Sequence, residues 1–327
     1  MRSNSSGFAD NTVLVGVDIG GTKTAVVLCA QAPDILWRKE FPTAPELGWQ
    51  HAMEKIVALV REGLAETGSL PQRIGVSCGG PLDRVAGIIQ QPPNLPTWNA
   101  VPVKAILEEE FGIRCSVEND ANAGAVAEHQ FGAGRGCRHM VFLTFGTGLG
   151  AGLVLNGHIF RGSNGMAGEL GHVRLTMDGP SGHGKAGSVE GWASGAGMAL
   201  HGADTVRAAL AAGEKTALQN KLDQLSARDI GQAMAEGDAV AARIVHQTGE
   251  RLGDALAVVV DMLNPERIVV GGLAIRLGEH LLGPARRRMH EEALAAAADV
   301  CFLVPARLGE QIGDVAAICV AMGLHDD

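Results

Sequence analysis

Short apolar runs alternate with longer amphipathic stretches along most of this chain. VLVGVDI (13–19) is polar only at Asp18 and predicts a buried strand. GGTK (20–23) follows as a glycine turn, then TAVVLCA (24–30) and ILWRKEFPT (35–43) as second and third strands. Between residues 48 and 67, Met53, Ile56, Val57, Val60 and Leu64 fall at helical spacing. RIGVSCGGP (73–81) predicts a strand ending in a glycine turn, VKAILEEEFG (103–112) a short helix, and RCSVEND (114–120) a strand end. In SVENDANAGAVAEHQFG (116–132) the extended run stops at Val117, and an alanine-rich helix begins just after Asp120. HMVFLTF (139–145), GTGLG and AGLVLNG then repeat the opening strand–turn–strand theme. The rest reads as a helical zone over about 193–264, the strand RIVVGG (267–272), a helix around 278–298, the strand CFLVPA (301–306) and a closing helix GDVAAICVAMGL (313–324). DIGGTKTAVVL (18–28) set against TFGTGLGAGLVL (144–155) is an internal repeat. The alternation of strands and helices predicts an α/β protein with a mixed sheet in each of two lobes.

Composition narrows the class. A length of 327 residues is more than one core usually serves, so two domains are expected. With 46% hydrophobic and 19% charged residues the chain is globular rather than disordered. A formal charge of −9 argues against a nucleic-acid or anionic-membrane footprint, but not against a phosphorylated small molecule held by backbone amides and a metal ion. Residues 1–12 read as a disordered polar tail without the apolar stretch of a signal peptide, and no run reaches the ~18 apolar residues of a spanning helix. Cys29, Cys78, Cys115, Cys137, Cys301 and Cys319 lack CxxC spacing and mostly lie in apolar runs. Buried thiols in a reducing cytoplasm fit them better than disulfides or a thiolate metal cluster.

The candidate chemistry sits at the turns. Glycine lets the backbone approach a ligand, and consecutive N–H groups form an anion-binding nest. Thr22 and Thr147 add hydroxyls. Either turn alone is an ordinary tight hairpin; two matching turns are not so easily dismissed. Asp18, ending the first strand, is placed to hold Mg²⁺ through water beside phosphates, and Lys23 to neutralise phosphate charge. Neither turn is a Walker loop, because a strand and not a helix follows. Asp120 by itself reads as a helix cap.

VDIGGTKTAVVL, GGP, PNLPTW, ENDANAGAVAE, TFGTGLGAGLVLNG, GMAGELGH and VVGG occur in the order found in the ROK family of sugar kinases and repressors, and the chain resembles that family from about residue 13 to 324. The resemblance implies a two-lobed ribonuclease H-like fold, of the actin-like ATPase and hexokinase type, with a mixed β-sheet in each lobe and a deep interlobe cleft. It implies an N-terminal lobe over 13–122, completed by the C-terminal helix of 310–327, and a C-terminal lobe over 123–309. Asp18, Gly20, Gly21, Thr22 and Lys23 resemble the first phosphate loop, and Gly146, Thr147, Gly148 and Gly150 the second. Gly271 and Gly272 resemble the turn beside adenosine. Asn119 and Asp120 match the pair contacting the sugar, with Asp120 as general base. Glu169, His172 and Glu190 match further sugar-hydroxyl ligands, and Asn94 lies in a loop that approaches the sugar. Such a base contributes about 10²–10⁴-fold.

The implied activity is ATP-dependent phosphorylation of a hexose or N-acetylhexosamine, at the 6-OH, with Mg²⁺, in a cytoplasmic homodimer; glucokinase and fructokinase are both within range. One family feature is missing. The zinc loop CxCGxxGC is replaced by GPSGHGKAGSVEGW (179–192), where Ser181, His183 and Ser188 stand at the cysteine positions. Serine hydroxyls are poor zinc ligands, so no structural zinc is expected, and hydrogen bonds or a subunit contact must hold the loop. The competing readings are a polyphosphate-dependent glucokinase, a non-catalytic sugar-binding protein, and a sugar-responsive repressor. The repressor reading is disfavoured because the first phosphate loop begins at residue 18, leaving no room for a helix-turn-helix ahead of it.

Overall fold

The structure, a computed structural model, describes residues 11–324, which fall into two compact units. One runs through Ala127 and resumes at Glu310; the other is Glu128–Gly309. The first division lies inside a helix, against the 122/123 position expected from sequence. The expected N-terminal tail lies outside the described residues as far as residue 10; Asn11 is in a turn and Thr12 already belongs to a strand.

The first unit carries a five-stranded sheet of β1 (Thr12–Ile19), β2 (Lys23–Gln31), β3 (Asp34–Pro42), β4 (Leu70–Cys78) and, after the short pair β5 (Leu82–Asp83) and β6 (Ile88–Ile89), β7 (Cys115–Asn119). Its order is β3-β2-β1-β4-β7, antiparallel on the β3 side of β1 and parallel on the β4 side. The apolar run of β1 is buried from Val13 to Val17, with Asp18 only partly so. Helix α1 (Trp49–Thr67) turns Ala52, Met53, Ile56 and Val60 inward, the stripe its spacing predicts, while Val57 and Leu64 are partly buried at its edge. Helices α2 (Val103–Phe111) and α3 (Asp120–Phe131) follow, the second starting where β7 ends. β7 runs to Asn119, past Val117, because Val117 and Glu118 are both held in register on β4.

The second unit repeats the plan. β8 (Met140–Phe145), β9 (Leu149–Leu155), β10 (His158–Phe160), β13 (Arg267–Val270) and β14 (Phe302–Pro305) form a sheet of order β10-β9-β8-β13-β14, with the same switch from antiparallel to parallel at its centre; β11 (Ser181–Gly182) and β12 (Lys185–Ala186) make a separate hairpin. β8 and β9 thus occupy the places of β1 and β2, which is the internal repeat seen in the sequence. The helical zone expected over 193–264 is not continuous. After α4 (Val189–Trp192) it breaks into α5 (Gly195–Ala211), α6 (Ala227–Ala235) and α7 (Ala239–Leu263), each started by a side-chain cap: Ser194, Ser226 and Asp238. Helices α8 (Leu273–Leu277), α9 (Glu279–Glu292) and α10 (Ala295–Ala298) complete this unit. Helix α11 (Ile312–Met322) returns to the first unit and lies on β4 so closely that a Cβ on Gly75 would stand 2.2 Å from the carbonyl oxygen of Ala317.

Candidate functional site

In the first unit, the β1–β2 turn is fastened from β3. Gly20 N–H donates to the Lys23 carbonyl (3.0 Å), the Thr43 hydroxyl donates to the Gly20 carbonyl (2.6 Å), and Thr43 N–H donates to the Thr22 carbonyl (3.0 Å). Thr43 is fully buried and also meets the Thr24 hydroxyl at 2.9 Å. With these carbonyls occupied, the tip of the turn keeps a fixed shape. Thr22 and Lys23 are exposed. Lys23 is turned to Glu40 (3.1 Å), which Arg38 also holds, so the lysine expected at a phosphate rests in a surface ion pair. Such exposed pairs are worth little and break readily. Asn94 lies over the same turn: a Cβ on Gly21 would fall 2.5 Å from that of Asn94. Its loop is pinned by the buried side chains of Leu95 and Trp98.

Asp18 stands behind the turn, hydrogen-bonded to Ser77, with no room for a side chain at Gly313, whose Cβ would meet its Oδ2 at 2.1 Å. Burial, then the charges of Asp120 and Asp314, push its carboxyl up to about 7, against the opposing pull of Ser77. Asp314 is 5% exposed and paired with Arg38 at 2.7 Å. Neither Asp314 nor Thr43 was singled out from the sequence, where an Asp in an apolar helix and a Thr after a strand carry no distinguishing signal.

Asp120 is exposed at the first position of α3. Asn119 caps that helix, its Oδ1 accepting from Ala121 N–H (3.0 Å) and Asn122 N–H (3.3 Å), while Asp120 Oδ1 also accepts from Ala121 N–H (2.8 Å). Beneath them Glu118, 1% exposed, takes the Asn119 N–H (2.9 Å) and the Asn122 amide (3.2 Å), so the Glu–Asn–Asp run is one carboxylate anchor, one cap and one outward carboxylate.

In the second unit, the turn of Gly146, Thr147 and Gly148 is closed by Gly146 N–H on the Gly148 carbonyl (3.0 Å) and tied to the start of α5 by Gly195 and Ala196 N–H. Gly150 pairs with Thr144 in the β8–β9 ladder. Gly271 N–H donates to the Leu143 carbonyl (2.8 Å), and Gly272, at φ 64°, lies against the end of β8, where a Cβ would stand 2.2 Å from the Phe145 carbonyl oxygen. The expected second phosphate turn and adenosine turn are therefore neighbours. Glu190 reaches the same turn: its Oε2 accepts from Leu149 N–H (3.0 Å) and would lie 2.6 Å from a Cβ on Gly148. His183 Nε2 is 3.2 Å from its Oε1. Glu169 and His172 bracket a 3₁₀ turn and are both exposed, the His172 carbonyl accepting from Lys185 Nζ (2.7 Å).

The loop expected to lack zinc is held by hydrogen bonds. Ser188, fully buried, caps α4 by accepting from Gly191 N–H (3.1 Å) and also takes Gly182 N–H (3.2 Å), joining the hairpin β11–β12 to the helix that carries Glu190.

Two sheets of one strand order, each opening on a glycine hairpin, define an actin-like ATPase fold. The ROK family pattern matches residues 14–323, and the chain belongs to the ROK family. It is 35% identical to a glucokinase of Halalkalibacterium halodurans over 91% of this chain and 92% of that one. A ROK glucokinase of Streptomyces griseus, solved with glucose and AMPPNP, superposes with a TM-score of 0.80 at 29% identity, covering 95% of this chain and 99% of that one. A ROK transcriptional regulator, homologous to the E. coli MLC protein, superposes with a TM-score of 0.84 at 25% identity, covering 97% of this chain and 79% of that one.

Proposed function

We propose that this ROK protein is an ATP-dependent hexose kinase that phosphorylates the 6-OH of glucose, with Asp120 as general base. The observation carrying this reading is the exposed carboxylate of Asp120 at the first residue of α3, next to Asn119, whose side chain accepts from two amides of that helix. The glucokinases of Halalkalibacterium halodurans and Thermotoga maritima, 35% and 33% identical, and the glucose and AMPPNP held by the Streptomyces griseus enzyme support the substrate pair.

Asp120 accepts the hydroxyl proton as the new O–P bond forms; the bond between the γ-phosphorus and the bridging oxygen breaks, and ADP leaves with that electron pair. Asn94, Asn119, Glu169, His172 and Glu190 bind sugar hydroxyls. Gly20, Gly21 and Thr22, with Lys23 once freed from Glu40, and Gly146, Thr147, Gly148 and Gly150 take the phosphates; Gly271 and Gly272 flank the adenosine. Among the described residues no cluster of three His, Cys, Asp or Glu is arranged to hold a metal ion. Mg²⁺ commonly takes one or two carboxylates and fills its shell with water and phosphate, and Asp18, behind the first glycine turn, is the carboxylate that would hold it through water. When bound, Mg²⁺ neutralises charge on the transferring phosphate.

Mannose, N-acetylhexosamines and fructose are the alternative acceptors, and polyphosphate the alternative donor. A homodimer in the cytoplasm is the proposed state; six buried free thiols are consistent with a reducing compartment. Among the described residues no helix is long and apolar enough to cross a membrane. The second reading is a sugar-responsive regulator, favoured by the TM-score of 0.84 to one.

The test is ADP release from Mg-ATP with each sugar, for the wild type and Asp120→Asn. Glucose is expected to give turnover of about 1–100 s⁻¹, and the variant to bind glucose but turn over slower by about a hundredfold or more. Glucose binding without turnover from either ATP or polyphosphate would overturn the kinase reading in favour of the regulator.

A further inference from the structure

The hairpin β11–β12 turns through His183 and Gly184, with φ of 47° and 71°. Two central residues at positive φ make a type I′ turn, whose first position favours Asn, Asp or Gly. A histidine there is strained, and strain of this kind persists where the side chain does something else. Its Nε2 meets Glu190 Oε1 at 3.2 Å, while the other oxygen of that carboxylate accepts from Leu149 N–H at 3.0 Å. Glu190 is 14% exposed and His183 51%, so the contact reaches from the solvent edge to the second glycine turn. A carboxylate has about four acceptor sites, so after these two bonds it still has sites for sugar hydroxyls.

We infer that His183 is a positioning residue: it fixes the Glu190 carboxylate between the hairpin tip and Leu149, and so sets affinity for the sugar. The inference rests on the kinase reading for its kinetic consequence. Lys185, at the other end of the same turn, holds the His172 carbonyl, so the hairpin fastens the segments of two proposed sugar ligands. Side chains here do the fastening with Ser188 buried at the base.

The experiment compares His183→Asn and His183→Gln. Asparagine suits the first position of the turn better than histidine but is too short to reach Glu190, so it separates turn stability from positioning. Glutamine is long enough to donate to the carboxylate. With Asn, glucose KM is expected to rise about tenfold with kcat and the KM for ATP within about twofold, the pattern of lost ground-state binding through a charge-assisted hydrogen bond. The melting temperature should not fall, and the Leu149 amide, followed by hydrogen exchange, should lose protection. Gln should restore most of both effects. An Asn variant with wild-type glucose KM and wild-type Leu149 exchange overturns the inference. So does one that loses stability and all kinetic constants together. If the wild type phosphorylates no sugar, the kinase reading falls, and Leu149 exchange still decides whether His183 holds Glu190.

Discussion

Asn119 and Asp120 are adjacent, chemically similar and both at the start of α3, yet the structure gives them different work. The Asn119 side chain accepts from two helix amides, and replacing such a cap by alanine costs about 0.5–2 kcal/mol. Asp120→Asn keeps an acceptor for Ala121 N–H and removes the charge. Chemical denaturation should therefore show Asn119→Ala less stable by about 1 kcal/mol, and Asp120→Asn within about 0.5 kcal/mol of the wild type. Turnover should show a far larger defect in Asp120→Asn. A reversed order of stabilities would return Asp120 to the role of cap. The sequence could name both residues but not divide the tasks, because either side chain fits a helix start; only the hydrogen-bond directions separate them.

At the scale of elements, the longer apolar strands were legible, while the short strands β5, β6, β10, β11 and β12 and the helix boundaries were not. β1, β8, β13 and the second half of β4 are short, largely buried runs of mostly apolar residues, the length and pattern that suit a strand inside a sheet. The zone after residue 193 looked continuous because its apolar spacing continues, whereas the breaks are set by Ser226, which makes a capping box with Asp229, and by Asp238, whose Oδ1 accepts from Ala241 N–H at 3.0 Å. The departure of the loop 179–192 from its family pattern was equally legible, but the contacts that hold it were not, since Ser188 and Gly182 meet only after the hairpin folds back. Ser188→Ala should cost about 1–2 kcal/mol by leaving two buried amides unpaired, while prolonged dialysis against EDTA leaves the melting temperature where it was. Loss of stability on chelation would mean that a metal, not Ser188, holds this loop. Gly75→Ala should also destabilise the fold. Its Cβ has no space against the α11 backbone, and overpacking of this kind costs about 1–3 kcal/mol. The thermal melt of that variant should fall even with activity conditions unchanged.

Across the whole molecule, the duplicated sheet was visible in two short glycine-bearing hairpins, but the two units differ in what they bury, and that difference predicts opposite responses to acid. In the first unit the Asp18 carboxyl rises from 3.8 to about 7, mainly through burial and then through Asp120 and Asp314. A raised folded value means stability that is complete below 3.8 and lost as pH climbs through 7, amounting to at most about 4 kcal/mol. In the second unit His201, 6% exposed and bonded to Thr248 at 2.9 Å, is lowered by burial from 6.5 to about 4. A lowered folded value means stability complete above 6.5 and lost as pH falls through 4, about 3 kcal/mol in all. Taking metal-free protein from pH 7 to 4.5 should therefore favour the first unit through Asp18 and penalise the second through His201. Hydrogen exchange, corrected for the intrinsic rate at each pH, resolves the two by peptide. Asp18→Asn should remove the gain in β1 and β4 and leave the protein more stable than wild type at pH 8. His201→Gln should remove the loss in α5 and α7. If Asp18→Asn instead destabilises the protein at pH 8, its carboxylate is stabilised by the fold rather than strained by it, and the cost assigned to keeping a charge behind the first glycine turn is wrong.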